Sequence, residues 1–358
     1  MTTPEVLSPR AVSRRAYAKV NLCLFVGPPE GEDATHEGRS VAGYHKIASW
    51  MSAIEMWDEV TVTPSDAFTY ECDWAGDAPR PTLIDWPDER DLCVKAHKAL
   101  ESHLGRSLPA SIHVTKRIPV GSGLGGGSSD AASTMMALRD AFQLDLDDDA
   151  LRSVAMGVGS DVAFFIDGEG EGEAPPRPAL VSGLGERIER VDAVTKELIL
   201  IIPPFSCETR AVYGAFDVLL AERVSRKRME HGPSYNPAPV NPDLVARRIG
   251  KASGDTIRDG LLGNDLFPSA IRVEPRLGRL ATELSRATRL DAHLSGSGST
   301  LFFLTDADRA PKAEERLRRA LESMSASADG SWCAGCALIR TRLTPARPAH
   351  AARLVQSR

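Results

Sequence analysis

Between Pro119 and Ser133 the chain reads PVGSGLGGGSSDAAS, with glycines at 121, 123, 125, 126 and 127. Glycine accepts backbone angles that other residues resist, so successive amides in such a stretch can converge on one anion. An apolar pattern at helical spacing (Met135, Leu138, Phe142) starts directly afterwards. The beginning of that helix adds unpaired amides and the positive end of its dipole. Ser128 and Ser129 are placed to cap it and to offer hydroxyls. The chemistry served by this combination is grip on a polyphosphate. A Walker A loop is excluded because no lysine follows the glycines. A dinucleotide fingerprint needs an acidic residue about 20 positions further on, ending a second strand. Asp148 and Asp149 lie near that offset, but inside DLDDDA, which reads as a helix start. A plain linker would not stand between an apolar strand and an apolar helix.

A second pair of polar side chains stands out upstream. Residues 14–26, RRAYAKVNLCLFV, alternate with period two, which predicts a strand. Ala16, Ala18, Val20, Leu22, Leu24 and Val26 fall on one face, and Tyr17, Lys19, Asn21, Cys23 and Phe25 on the other. Lys19 and Asn21 therefore point the same way, side by side.

The elements that must position these groups follow along the chain. Residues 27–40 read as a polar loop, 47–54 and 58–64 as two strands, and the segment 82–105 as ending in a helix. Residues 109–120 read as a strand feeding the glycine loop. A second helix covers about 147–157, and DVAFFIDG (161–168) reads as a buried strand. After a surface loop near 169–178, KELILIIPP (196–204) opens a second half with a helix at 207–224 and a charged, proline-rich loop at 225–241. Helices at 242–250 and 265–287, a strand, glycine turn and strand in AHLSGSGSTLFFLTD, a helix at 310–324 and a last strand at 336–344 complete it. LSGSGS (294–299) serves equally as a tight turn between strands or as a wall closing a site near bound phosphates. The mixture in both halves means α+β or α/β.

Length and composition set outer bounds. The 358 residues, 42% of them hydrophobic, suffice for two cores. A net charge of −6 argues against nucleic acid or an anionic membrane as partner. The six scattered cysteines make no disulfide framework and suit a reducing compartment. Cys333 and Cys336 form a single C-x-x-C without a second pair, so they are read as incidental rather than zinc-binding. The N-terminal residues carry arginines with no apolar run behind them, and no stretch of the chain is long and apolar enough to span a bilayer. The expectation is a cytoplasmic globular protein.

The glycine loop resembles the phosphate loop of the GHMP kinases, small-molecule kinases of the galactose, homoserine, mevalonate and phosphomevalonate type. Further stretches, in order, are similar to one branch, the kinases of cytidine-diphosphate methylerythritol in the non-mevalonate route to isoprenoids: AYAKVNLCLFV, GYHKIASWMSAIEMWDEVTV, VGSDVAFFIDG, PPFSCETRAVYGAFD, NDLFPSA and LSGSGSTLFFL. The resemblance covers about residues 14–340. It implies a two-domain α+β GHMP kinase fold, with a ribosomal-protein-like ATP-binding domain over 1–195, a ferredoxin-like C-terminal domain over 196–345 and a disordered tail at 346–358. It implies phosphoryl transfer from ATP to the 2-hydroxyl of the methylerythritol moiety. By motif, Asp161 becomes the catalytic base and Lys19 its partner. ATP is assigned to Pro119, Val120, Gly121, Ser122, Gly123, Leu124, Gly125, Gly126, Gly127, Ser128 and Ser129. Asn21, Tyr44, His45, Thr209 and Tyr213 are assigned to the second substrate, with His45 on the edge of cytosine and Tyr213 stacked on its face. No residue is assigned to a metal; Mg²⁺ is expected to arrive with ATP. The partners implied are the two small molecules alone, in a monomer or weak homodimer. The alternatives are another GHMP kinase, of the homoserine or mevalonate type, or a catalytically silent nucleotide-binding relative. Ala163 departs from the branch, which usually has proline there, and this is expected to loosen the turn carrying Asp161. The loops at 28–40 and 225–241 are longer than usual.

Overall fold

The computed structural model describes residues 10–36, 38–167, 174–231, 240–252, 257 and 259–344. The first half contains strands β1 (Val12–Pro29), β2 (Thr35–His36), β3 (Arg39–Ser40), β4 (His45–Pro64) and β5 (Thr69–Trp74), then helix α1 (Leu92–Leu104) and β6 (Ala110–Lys116). Helices α2 (Gly126–Ala141), α3 (Asp148–Ala155) and α4 (Val162–Phe165) come next, followed by β7 (Ala179–Gly183) and β8 (Arg187–Arg190). The second half runs β9 (Glu197–Ile202), α5 (Thr209–His231), α6 (Pro242–Ile249), β10 (Gly263–Asn264), α7 (Phe267–Val273) and α8 (Pro275–Thr288). It ends with β11 (His293–Leu294), β12 (Leu301–Thr305), α9 (Ala310–Ser325) and β13 (Ala337–Arg342).

Two sheets organise the molecule. The larger has the order β10-β1-β4-β6-β5, with β7 pairing β4 and β8 beyond it; the smaller is antiparallel, in the order β11-β12-β9-β13. In the run ELILII of β9 every residue after Glu197 is buried, as in a strand covered on both faces. Ile199 and Ile201 of β9, with Leu301 and Phe303 of β12, pack against α5, α7, α8 and α9. Leu198, Leu200 and Ile202, with Phe302 and Leu304, point the opposite way, into a core that includes Val20, Leu22, Trp50 and Ile54 of the large sheet. Period-two alternation thus gives the small sheet two cores, one of them shared with the large sheet.

The long strand β1 departs from strict alternation. Its pairing with β4 shifts register between Tyr17 and Lys19, between Asn21 and Cys23, and between Val26 and Pro29. Each irregularity re-aims the side chains that follow. Ala16 therefore packs with α1 and α2, Ala18, Val20 and Leu22 join the shared core, and Leu24 and Val26 reach the core of the second half.

Several expectations need correction. The two strands at 47–54 and 58–64 are one strand, β4, of 20 residues. The loop at 27–40 carries a small hairpin, β2 with β3. DVAFFIDG holds a helical turn, α4, rather than a strand; Val162–Phe165 are all buried, and a short run buried all round has no period that separates the two states. The helix expected at 207–224 continues to His231. Arg226, Lys227 and Met229 are good helix formers, and Lys227 pairs with Glu230 at 3.0 Å, so the first part of the expected loop at 225–241 is helical. The helix expected at 265–287 is two, because Pro275 cannot donate to a preceding turn and instead opens α8. Strands β5, β7 and β8 had no distinct signal. Residues 346–358 lie outside those described.

The shared core yields a prediction. Phe302→Ala should lower the free energy of unfolding by about 3–5 kcal/mol, and urea unfolding should remain one transition, with far-UV circular dichroism and tryptophan fluorescence moving together.

Candidate functional site

The glycine loop runs from the end of β6 to the start of α2. Gly121, Gly123 and Gly125 have φ of 67°, 81° and 74°, the left-handed region that glycine alone enters freely. Close approach adds a second demand. A Cβ on Gly123 would lie 2.4 Å from the Ser295 carbonyl oxygen, and one on Gly125 would lie 2.9 Å from Cγ of Lys19. The N-cap of α2 is Gly125, with no side-chain cap. The serines expected to cap instead sit within the first turn, and Ser129 is 1% exposed. The amides of Gly126, Gly127 and Ser128 have no intrahelical acceptor, so the helix start is open to an anion.

Two other segments close on this loop. The Lys19 amide donates to the Leu124 carbonyl at 2.8 Å, occupying the backbone freed where β1 shifts register. From the second half, Ser295 Oγ donates to the Gly123 carbonyl at 3.0 Å, and the Thr300 amide donates to Ser122 O at 3.1 Å. Asn264 holds that turn by donating to the carbonyls of Leu294 and Gly296. LSGSGS is thus both a connection between strands and a wall of the site.

Lys19 Nζ donates to Asn21 Oδ1 at 2.7 Å and to Gly123 O at 3.1 Å, and lies 3.4 Å from Asp161 Oδ2. Lys19 is 3% exposed, whereas the Asp161 side chain, at 28%, reaches into open space. The carboxylate stands at the N-cap of α4. The far end of that helical turn is gripped by cations, since Arg190 donates to Phe164 O and Ile166 O and Arg152 donates twice to Ile166 O. Gly185, with φ 113°, makes room for the Ser160 carbonyl, which a Cβ would approach to 2.4 Å. Ala163 is fully buried in this arrangement, and the turn is held from both sides.

Around these groups lies a cleft of about 1140 Å³. Pro119 to Ser128 line it, as do Lys19, Asn21, Tyr44, His45, Asp161, Thr209 and Tyr213. Ser129 does not: it faces a separate small cavity with Arg14 and Ser133. His45 Nδ1 lies 2.9 Å from Gly27 O, and its ring packs 5.0 Å from that of Tyr213. Burial, with the Asp161 carboxylate nearby, raises the Tyr213 phenol above its usual pKa. Tyr44 is 62% exposed at the rim. Thr209 opens α5 and shares a hydrogen bond of 2.9 Å with Ser297 Oγ.

Other residues of the site carry no role assigned above. Beneath the loop, Lys116 Nζ donates to Asp58 Oδ2 and Asp130 Oδ2, both at 2.6 Å, and all three side chains are buried. Asp58 Oδ1 also accepts from the amides of Arg117 and Ile118, fixing the chain just before the loop. Burial works against the Lys116 charge, but the two carboxylates outweigh it and raise its pKa. Burial also lifts the Asp130 carboxyl, against the pull of Lys116. A signal existed. Lys116 stands in the buried row Ala110, Ile112, Val114, and Asp58 in the row Met56, Val60, Val62. Charges in two apolar rows of neighbouring strands have to find each other. Asp217, on the cleft face of α5 with Thr209 and Tyr213, could be found from the i, i+4, i+8 spacing.

Cys333 and Cys336 are free thiols. Burial raises the first and pushes the second up to about 12, so neither offers a thiolate at neutral pH.

The cluster under the loop gives the second prediction. Lys116→Met leaves two buried carboxylates facing each other and should cost about 3–5 kcal/mol of stability, read from urea denaturation.

The signature of the GHMP kinases N terminal domain matches residues 91–169, and that of the GHMP kinases C terminal domain matches 245–323. The 4-diphosphocytidyl-2-C-methyl-D-erythritol kinase of Mycolicibacterium gilvum is 32% identical over 99% of this chain and 96% of its own. That of Caulobacter sp. is 34% identical over 82% of this chain and 88% of its own. A crystal structure of 4-(cytidine 5'-diphospho)-2C-methyl-D-erythritol kinase superposes with a TM-score of 0.62 at 25% identity, covering 94% of this chain and all of that one. L. major mevalonate kinase, solved in complex with R-mevalonate, has the same fold, with a TM-score of 0.60 at 17% identity over 97% of this chain and all of that one. Likeness sustained at this identity from end to end, with both domain signatures in order, makes this α+β chain a member of the GHMP kinase family and a small-molecule kinase, similar to the 4-diphosphocytidyl-2-C-methyl-D-erythritol kinases.

Proposed function

We propose that the enzyme transfers the γ-phosphate of ATP to the 2-hydroxyl of 4-diphosphocytidyl-2-C-methyl-D-erythritol, a step of the non-mevalonate isoprenoid pathway. The observation that carries this reading is the Lys19–Asp161 pair, 3.4 Å apart beside the open start of α2, in a chain whose full-length relatives bear that name. The phosphates of ATP lie along the glycine loop, with the terminal one at the amides that open α2. The substrate hydroxyl stands between that phosphate and Asp161.

Phosphoryl transfer passes through a loose transition state, so placement and charge stabilisation matter more than early proton removal. A carboxylate is a far weaker base than an alkoxide, so Asp161 orients the hydroxyl and takes its proton late. The hydroxyl oxygen bonds to the γ-phosphorus as the bond to the bridging oxygen breaks, and ADP leaves with that electron pair. Lys19 stands 3.4 Å from Asp161 Oδ2 and offsets charge on the group in transit. Asn21 accepts from Lys19 and donates to Ser49 Oγ at 2.8 Å, which fixes the ammonium beneath the reacting atoms. The diphosphocytidyl end extends past Thr209 toward His45, Tyr44 and Tyr213. Stacking on an aromatic ring contributes about 1–3 kcal/mol for any base, so choice of base is left to hydrogen bonds at its edge.

Mg²⁺ fits this site as an ion that arrives on the nucleotide. Among the described residues no three His, Cys, Asp or Glu side chains converge to hold one; at the start of α2, Ser128 and Asp130 line the cleft. When bound, the ion neutralises phosphate charge. The six unpaired cysteines suit a reducing compartment, and we place the enzyme in the cytoplasm. Among the described residues no helix is long and apolar enough to cross a membrane.

The test is ADP release from ATP with the diphosphocytidyl substrate, beside mevalonate and homoserine. Turnover is expected with the first alone; turnover with a control acceptor instead would refute the assignment. Asp161→Asn should lower kcat by roughly 10²–10⁴ while the unfolding midpoint stays put. Gly123→Ala, which drives a methyl group into the Ser295 and Gly298 carbonyls, should cut kcat/KM for ATP by about 10² or more through misplacement of the loop.

A further inference from the structure

Beneath the Lys19–Asp161 pair runs a buried row of hydrogen bonds with a single direction. Lys19 Nζ donates to Asn21 Oδ1 at 2.7 Å, Asn21 Nδ2 donates to Ser49 Oγ at 2.8 Å, and Ser49 Oγ donates to the Cys23 carbonyl at 2.7 Å. Lys19 and Asn21 line the cleft, whereas Ser49 stands behind them on β4, fully buried and outside the lining. The row ends on backbone because of β1. There Asn21 is opposite Met51 and Cys23 is opposite Trp50. Two steps along β1 answer one step along β4, which makes a bulge, and the Ser49 hydroxyl takes up the Cys23 carbonyl beside it.

Direction follows from what each group can do. A carbonyl oxygen only accepts, so the single hydroxyl hydrogen of Ser49 is taken by Cys23 O. Toward Asn21 the Ser49 oxygen can then only accept, which requires the N–H side of the amide. That turns the amide oxygen to the Lys19 ammonium, which has hydrogens and no lone pair. With the amide turned over, two acceptors would meet at Ser49 and two donors at Lys19. Both mismatches would lie out of water, where they are costly. One interior hydroxyl therefore fixes the polarity of the amide above it. The turn between β11 and β12 closes the remaining side: a Cβ on Gly296 would lie 3.4 Å from Lys19 Nζ and 3.5 Å from Asn21 Oδ1.

We infer that Ser49 is a positioning residue for phosphoryl transfer, acting through the orientation of the Asn21 amide on the placement of the Lys19 ammonium. This rests on the reading above that Lys19 and Asp161 serve the transfer. The bond to Asn21 Oδ1, at 2.7 Å, is the shortest of three contacts of the ammonium; Gly123 O is at 3.1 Å and Asp161 Oδ2 at 3.4 Å. An amide no longer held by Ser49 leaves the ammonium on its two longer contacts, at the point where charge in transit is offset. Ser49 lies behind the cleft lining and acts on neither substrate directly. Its loss is therefore felt in kcat, with KM little changed.

The experiment is a double-mutant cycle on turnover of the diphosphocytidyl substrate, followed with radiolabelled ATP so that slow variants stay measurable. It compares wild type, Ser49→Ala, Asn21→Ala and the double variant, beside Ser49→Thr. Ser49→Ala should lower kcat by about tenfold or more, with KM for each substrate within about threefold. In the Asn21→Ala background the same substitution should cost less than about twofold further, because the group it orients is gone. Ser49→Thr, which keeps the hydroxyl, should recover most of the rate. A serine that only holds the strand would give losses that multiply. Multiplying losses, an unchanged kcat in Ser49→Ala, or a folded Ser49→Thr as slow as Ser49→Ala overturns the role of Ser49 and leaves the proposed function standing. Urea midpoints show which variants are folded. If Ser49→Ala is not, Ser49→Cys, close in size with a weaker hydrogen-bonding group, takes its place in the cycle with the same expected pattern. Failure of wild type on this substrate overturns the proposed function, and this inference with it.

Discussion

The site depends on neighbouring segments reaching the backbone of the glycine loop with no side chain of its glycines in between. Three segments that lie far apart in the chain, β1, the glycine loop and the turn between β11 and β12, touch around Gly123 and Gly125. Lys19 takes part twice, through its amide to Leu124 O and through its ammonium to Gly123 O. Ser295 closes the third side. Because the contacts are made at main-chain distance, the conformation of the loop is set by its neighbours as much as by its own residues. A flexible composition thereby yields a fixed shape, which is what an anion cradle requires if its amides are to point inward before the ligand arrives.

Electrostatics beneath the loop supports the same end. Asp58, Lys116 and Asp130 are buried where isolated charges would be untenable, and they satisfy one another while Asp58 also receives two amides at the entrance to the loop. Such a cluster adds little net stability compared with well-packed apolar groups of similar size. Its value lies in direction: it ties the end of β6 to the first turns of α2, so strand and helix present the loop at one angle. The same logic recurs at α4, where Arg152 and Arg190 occupy the carbonyls at the end of a very short helix. A cation at a helix C-terminus complements the unpaired carbonyls there, and Asp161 gains a firm base.

How much of this was legible in the sequence depended on whether the signal was local. The glycine loop, the alternation of β1 and the helix behind the loop are local patterns, and the residues they nominate meet in one cleft, with Ser129 turned away because it falls on the inner side of the first turn. Lys19 and Asn21 were readable as neighbours, but the register shifts that divide β1 among three cores were not, since they answer to the demands of β4 and the loop. Asp161 had no signal of its own and entered only through family resemblance. α4 was misread because an apolar run buried on all sides carries no period. Lys116, Asp58 and Asp217 were open to a stricter reading, as charges sitting in registers that alternation or helical spacing assigns to the interior or to the cleft.

The core shared by the two sheets constrains how ligands come and go. Leu200 and Phe302 of the small sheet are packed among Leu22, Trp50 and Ile54 of the large one, and the chain returns near its end to bond the Thr344 amide to Ala53 O at 3.1 Å. Prising the sheets apart would expose apolar area at about 25 cal/mol per Å². Separating the walls of the groove is therefore costly, whereas Tyr44, exposed at its rim, can turn without disturbing that core.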